Sequence, residues 1–200
     1  MSNSHLTEKS LAESFKKLML KYPVNKITVK QVTDESGVTR RTFYNHFIDI
    51  YELLEWIYEH EVIEELEGYN NLNGWKEAIN LVLQYTLNNR KICLNVFNSL
   101  GRDHLEKFLY NIFYNEVKGV VNDITNDLCI EEDITNNLCI EEDIKNEIIG
   151  FYTLAIVGEF IMWLRNDLKE GPEKILSRIE RMMNGTLSFV FNRNSKAKIK

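Results

Sequence analysis

The sequence predicts an all-α protein, a three-helix head containing a helix-turn-helix joined to a helical bundle. Three observations predict it. Apolar residues recur at helical rather than alternating spacing along most of the 200 residues. Only two prolines, Pro23 and Pro172, punctuate the chain. The segment Ile27 to Phe47, ITVKQVTDESGVTRRTFYNHF, sets two helix-starting signals on either side of a glycine, the pattern of two short helices around a tight turn.

The elements follow in order. Leu11, Phe15 and Leu18 lie at i, i+4, i+7 and give a first helix one apolar stripe, ending near Tyr22-Pro23. Thr28 with Gln31 fits a capping box that starts a short helix through about Glu35. Gly37 suits a left-handed turn, and Val38 is the apolar residue that locks it. Thr39 caps the next helix, whose buried side is Phe43 and Phe47. Residues 49–67 repeat the helical pattern with Leu53, Leu54, Ile57 and Ile63, and a Gly68 to Gly74 break precedes helices at Trp75 to Asn88, Arg90 to Leu100 and Arg102 to Val121. Two strong helices close the chain, roughly Ile144 to Asp167 and Pro172 to Phe191, stopped and restarted at Glu170-Gly171-Pro172. So short a link makes them antiparallel neighbours, able to bury one face in their own domain and another against a second subunit.

Between these blocks lies a tandem duplication. Ile124 to Asp133 reads ITNDLCIEED and Ile134 to Asp143 reads ITNNLCIEED, identical at nine of ten positions. In continuous helix, ten residues would turn the second copy by roughly 80° from the first, so the two apolar sets cannot share a face. The expectation is an acidic, exposed and partly irregular insert at 124–143.

Composition narrows the function. Residues 1–47 hold eight Lys/Arg against four acids, a charge of +4, which leaves −10 for the remainder of a chain whose total is −6. A basic head on an acidic body suits a local phosphate-binding surface. The three cysteines, Cys93, Cys129 and Cys139, lack CxxC spacing and fit a reducing cytosol. No apolar run of signal-peptide type opens the sequence, and Gly150, Gly158 and Glu159 interrupt its most apolar stretch, so a cytoplasmic protein with no membrane contact is expected. A Gly-rich phosphate loop, a nucleophile elbow and an HExxH motif are all absent, and His5, His46, His60 and His104 are scattered along the sequence. Neither an enzyme, a cofactor nor a metal site is expected. His60 with Glu64 at i, i+4 reads better as a solvated helix face than as a ligand pair. For Phe97, Phe108, Phe113, Tyr152, Phe160 and Trp163, core packing outweighs a role in a ligand pocket.

The phase of the helix after Thr39 assigns its outer surface. With Phe43 and Phe47 inward, Arg40 pairs in space with Tyr44, and Arg41 with Asn45. Arginine can make bidentate contact with guanine and asparagine with adenine, while Tyr44, His46 and helix N-termini can hold backbone phosphates. Ile27 to Phe47, continuing into Tyr51-Glu52-Leu53-Leu54, resembles the DNA-binding domain of TetR/AcrR-family regulators over residues 7 to about 60, most specifically in TFYNHF. The resemblance implies DNA contacts at Thr28, Thr39, Arg40, Arg41, Tyr44, Asn45 and His46. It departs at Ile50, where many members carry a phosphate-binding lysine. Asn95-Val96-Phe97-Asn98-Ser99-Leu100-Gly101-Arg102 and WLRNDLKEGPEKI are similar to effector domains of the branch that regulates dihydroxyacetone kinase operons.

The function so implied is an effector-responsive repressor acting as a homodimer on a pseudo-palindromic, double-stranded operator. Residues 1–48 would bind DNA, and residues 49–200 would form an effector-binding and dimerisation domain, paired through the last two helices and answering an unknown small-molecule or protein effector. An activator controlled by a protein partner, or a helical interaction protein that has lost DNA binding, are the alternatives.

Overall fold

A computed structural model of the protein describes residues 3–100, 102–131 and 141–183. Among these residues the structure is helical throughout, without strands. It comprises α1 (Asn3–Met19), α2 (Val29–Ser36), α3 (Arg40–Tyr44), α4 (Ile50–Tyr58), α5 (Trp75–Asn88), α6 (Arg90–Leu100), α7 (Arg102–Glu131), α8 (Glu142–Arg165) and α9 (172–183). The described residues divide into two compact units, one from 3–65, 88–100 and 102–105, the other from 66–87, 106–131 and 141–183.

In the first unit α1 packs on α2, α4 and α6, and α2 on α3. Its core is the expected stripe of Leu11, Phe15 and Leu18 with Val32, Phe43, Phe47, Leu53, Leu54 and Ile57, all buried. Past Tyr58 the helix widens into a π turn over Glu59–Ile63, and a 3-10 turn, Glu64–Leu66, follows. A π turn advances the chain by an extra residue per bond and so rotates the apolar phase. Ile63, expected on the buried stripe, is therefore only half-buried, and Val62 enters the core instead. Lys16 of α1 ties this turn down through Glu61 at 2.5 Å, with Glu13 at 2.8 Å on its other side.

The inclusion of α6 in this unit rests on a polar clasp. Asn95 Nδ2 donates to the carbonyls of Met19 at 2.6 Å and Tyr22 at 2.7 Å, the unsatisfied end of α1. Its Oδ1 accepts from Val24 N at 3.2 Å and from Ser99 Oγ at 2.7 Å, and Asn25 Nδ2 donates to the Ser99 carbonyl at 3.0 Å. One asparagine thus caps α1 and fixes the 3-10 turn Val24–Lys26 that leads into α2. Nearby, burial pushes the Cys93 thiol up to about 12, which leaves it unreactive.

The second unit is built on apolar packing. Phe113 of α7 meets Phe160 of α8 with ring centroids 4.9 Å apart, and both are fully buried. Trp163 is buried as well, its Nε1–H donating to the Glu170 carbonyl at 2.7 Å across the α8–α9 link. Tyr152 joins them in the core, whereas Phe97 and Phe108 are half-buried. Gly119 of α7 has no room for a side chain, because a Cβ there would overlap the Asn70 carbonyl. α8 is long and apolar enough to cross a membrane, yet 56% of its apolar window is buried within the protein, the pattern of a core helix.

The duplicated segment departs from expectation in its first copy. Instead of leaving helix at Val121, α7 continues through Glu131, and Thr125 is buried with its hydroxyl donating to the Val121 carbonyl at 3.0 Å. Val117, Val120 and Val121 are buried on the preceding turns, so the helix has a core to follow. The second copy lies outside the described residues up to Glu141, and Glu142 already begins α8. The last helix is described to residue 183, and its expected continuation to Phe191 also lies outside them.

Candidate nucleic-acid interface

Residues Thr28 to Phe47 form a helix-turn-helix whose every junction has a local cause. At the start of α2, Thr28 Oγ1 accepts from Gln31 N at 3.3 Å while Gln31 Oε1 accepts from Thr28 N at 2.9 Å, so the capping box closes in both directions. α2 ends at Gly37, which is left-handed at φ +73°, and Val38 N then donates to the Thr33 carbonyl at 3.2 Å. Val38 itself is half-buried. Thr39 caps α3 by accepting from Thr42 N at 3.1 Å.

α3 spans only Arg40–Tyr44, and Phe47 N to the Phe43 carbonyl at 2.9 Å adds one further helical bond. Phe43 and Phe47 are buried with ring centroids 5.8 Å apart. Their phase leaves Arg40, Arg41, Tyr44 and Asn45 exposed together. Neither guanidinium has an ion-pair partner among the described residues. Tyr44 is 59% exposed, its ring held edge-on against Phe43 at 5.6 Å. Thr28 and Thr39 are also exposed, although their hydroxyls serve the backbone as caps. His46 is the exception: its ring turns inward against α1.

The start of α4 is closed by its own acids. Asp49 Oδ1 accepts from Tyr51 N at 2.8 Å and Glu52 N at 3.0 Å, and the Glu52 carboxylate accepts from Ile48 N. Ile50 is buried at 8% exposure, so the position where the family resemblance implies a lysine faces the core. The sequence reading missed Ile48, 79% exposed, and Tyr51, 39% exposed, both on this segment. Ile48 had a legible signal, since it falls out of phase with the Phe43–Phe47 pair. Asp49 with Glu52 three residues on was equally legible as a cap.

This arrangement can present two guanidinium groups, a phenol and an amide to a groove, on a helix whose core side is fixed. The TetR_C_8 family, described as a transcriptional regulator C-terminal region, matches residues 73–185, more than half of the chain. The HTH-type dhaKLM operon transcriptional activator DhaS of Lactococcus lactis subsp. lactis (strain IL1403) is 32% identical over 97 residues, 48% of this chain and 52% of that protein. The match thus spans about half the length of the relative. Among solved structures, the dihydroxyacetone kinase operon activator DhaS superposes with a TM-score of 0.68 at 23% identity, over 92% of this chain and 97% of that one, a likeness of fold. The chain therefore belongs to the TetR-type transcriptional regulators, with an all-α fold and a helix-turn-helix DNA-binding head.

Proposed function

We propose that the protein is an effector-responsive regulator that binds a pseudo-palindromic operator as a homodimer, residues 1–48 reading DNA and residues 49–200 providing effector binding and dimerisation. The observation that carries this is the exposed set Arg40, Arg41, Tyr44 and Asn45 on a helix capped at Thr39 and anchored by Phe43 and Phe47. Arg40, Arg41 and Asn45 contact base edges, and Thr28, Thr39 and Tyr44 contact phosphates.

Dimerisation through α8 and α9 is supported by what they leave in water. Phe151, Leu154 and Met162 of α8 are 71, 55 and 50% exposed, and Met182 of α9 is 57% exposed. Phe151, Leu154, Gly158 and Met162 follow helical spacing along one stripe, and a cleft lined by Ala155, Ile156, Ile179 and Met182, with the ion-paired Glu159 and Arg178 also in its wall, lies between the two helices. Such a surface suits an isologous contact between copies. Two heads would then meet successive major-groove faces with half-site centres about 34 Å apart or a multiple of it. A small molecule or protein partner that favours another head separation changes operator affinity by its differential affinity for the two states.

Operator occupancy that blocks transcription is the first reading of the regulatory sign. Activation is the second, favoured by the names of the relatives, which are activators of a dihydroxyacetone kinase operon. A mobility shift with DNA upstream of the protein's own gene and of a dihydroxyacetone kinase operon tests the operator, at two salt concentrations against scrambled DNA. A reporter behind the shifted DNA separates the signs. A monomer by sedimentation at micromolar concentration, with and without that DNA, would refute the dimer.

A further inference from the structure

The inward turn of His46 has a specific partner. Its Nδ1–H donates to Glu8 Oε1 at 3.0 Å, an ion-pair geometry between side chains only 15 and 22% exposed. Ser4 Oγ donates to the same carboxylate oxygen at 3.0 Å and lies 3.4 Å from His46 Nδ1. The other oxygen, Glu8 Oε2, lies 3.9 Å from His5 Nδ1. One carboxylate of α1 therefore gathers the residue that follows the recognition helix, across 38 positions of sequence.

We propose that Glu8 is a positioning residue for DNA recognition: through His46 it fixes the C-terminal end of α3, so that this acid strengthens operator binding. The inference rests on the head being an operator reader. α3 has five residues and cannot hold itself, since isolated helices of that length are not stable in water. Thr39 fixes its N-terminal end, and Phe43 and Phe47 fix its depth by contacts that carry little direction. Past Asn45, the side-chain bonds that tie this end of α3 to α1 are those of His46 with Glu8 and Ser4. Base readout demands placement within roughly 0.5 Å and 10–20°, which such a bond can impose on the neighbouring Arg41, Tyr44 and Asn45. His46 then acts as a strut rather than as the phosphate contact expected of it.

Charge alone predicts the opposite sign, because removing an acid from a surface that meets a polyanion should tighten binding. The test is fluorescence anisotropy of the full chain on operator and scrambled duplexes over a salt series, with Glu8→Ala, Glu8→Gln, His46→Ala and the Glu8→Ala/His46→Ala pair. Specific affinity falls about tenfold in Glu8→Ala, the scale of coupling between contacting residues. Glu8→Gln, which keeps the acceptor oxygen, recovers most of it, the double variant is no weaker than Glu8→Ala, and the salt slope does not change. Should Glu8→Ala fail to fold, Glu8→Asp decides against Glu8→Gln: aspartate keeps the charge but is one methylene too short, and must lose the affinity that glutamine retains. Equal or tighter binding by Glu8→Ala overturns the proposal. So does a His46→Ala variant whose salt slope drops by about one and whose loss adds to that of Glu8→Ala, the mark of an independent phosphate contact. A wild-type chain that distinguishes no operator from scrambled DNA sinks the operator reading itself.

Discussion

The two units are made of the same kind of helix, and one face of each exposes a different chemistry. The first leaves Arg40, Arg41, Tyr44 and Asn45 in water, and the second leaves Phe151, Leu154, Met162 and Met182. Exposed arginines keep their hydration, so a vacant DNA surface costs the free protein little. A stripe of large apolar side chains loses free energy in water and gains it against a matching surface. The head's exposed groups cost little without a ligand, whereas the proposed α8–α9 dimer face would gain free energy from a partner. Their interiors divide the same way: side-chain caps and an asparagine clasp shape the first unit, and stacked aromatic rings fill the second.

The contrast breaks first at the cores. Phe43→Ala and Phe160→Ala each remove a fully buried ring and should cost about 3–5 kcal/mol by urea unfolding. If the units are energetically distinct, Phe43→Ala abolishes DNA binding while the near-ultraviolet signal of the buried Trp163 environment survives, and Phe160→Ala loses that signal while the amides of α1 and α2 keep their protection in hydrogen exchange. A single common loss in both variants would dissolve the distinction.

A polar flaw within the apolar unit sharpens it. Glu116 of α7 is buried, its Oε2 has no hydrogen-bond partner, and burial raises its pKa to about 7 from 4.5. Between those values the folded chain holds a proton that the unfolded chain has released, so stability falls as pH rises through that window. Glu116→Gln removes this dependence: the variant matches wild type near pH 4 and exceeds it by about 1–3 kcal/mol at pH 8, the cost of an unsatisfied buried group. A constant difference across pH would show that the carboxylate is solvated.

Smaller effects probe the head's local chemistry. Gly37→Ala places a Cβ at φ +73°, where open space offers no clash, so its loss of about 1–2 kcal/mol is backbone strain alone. Thr28→Ala opens the capping box for about 1 kcal/mol, read as a shift in the urea midpoint. Losses of several kcal/mol at either site would mean that the turn and cap hold more than their own residues.

Which parts were legible in the sequence follows the same division. The Thr28–Gln31 box, the left-handed Gly37, the Thr39 cap and the Phe43–Phe47 pair depend on residues within four positions of one another, and each was read correctly. The exposure of Arg40, Arg41, Tyr44 and Asn45 followed from that phase. What escaped depends on distant partners. Val62 displaces Ile63 because a π turn shifts the phase, which helical spacing alone does not announce. Asn95 joins the head because its amide meets carbonyls 73 and 76 residues away. His46 turns inward because Glu8 stands 38 residues upstream. In the first copy of the duplication, the buried face of α7 outweighs the polar residues that argued for irregular chain.

The central claim, that α3 reads sequence from the surface of a stable head, is tested most directly by Arg40→Ala/Arg41→Ala against wild type on operator and scrambled DNA, with the melting temperature measured in parallel. The account predicts loss of at least a hundredfold in specific affinity, on the scale of about 1–3 kcal/mol for each guanidinium–base contact, with a melting temperature unchanged within about 0.5 kcal/mol of stability. Retained discrimination between operator and scrambled DNA, in a variant that melts like wild type, would contradict it.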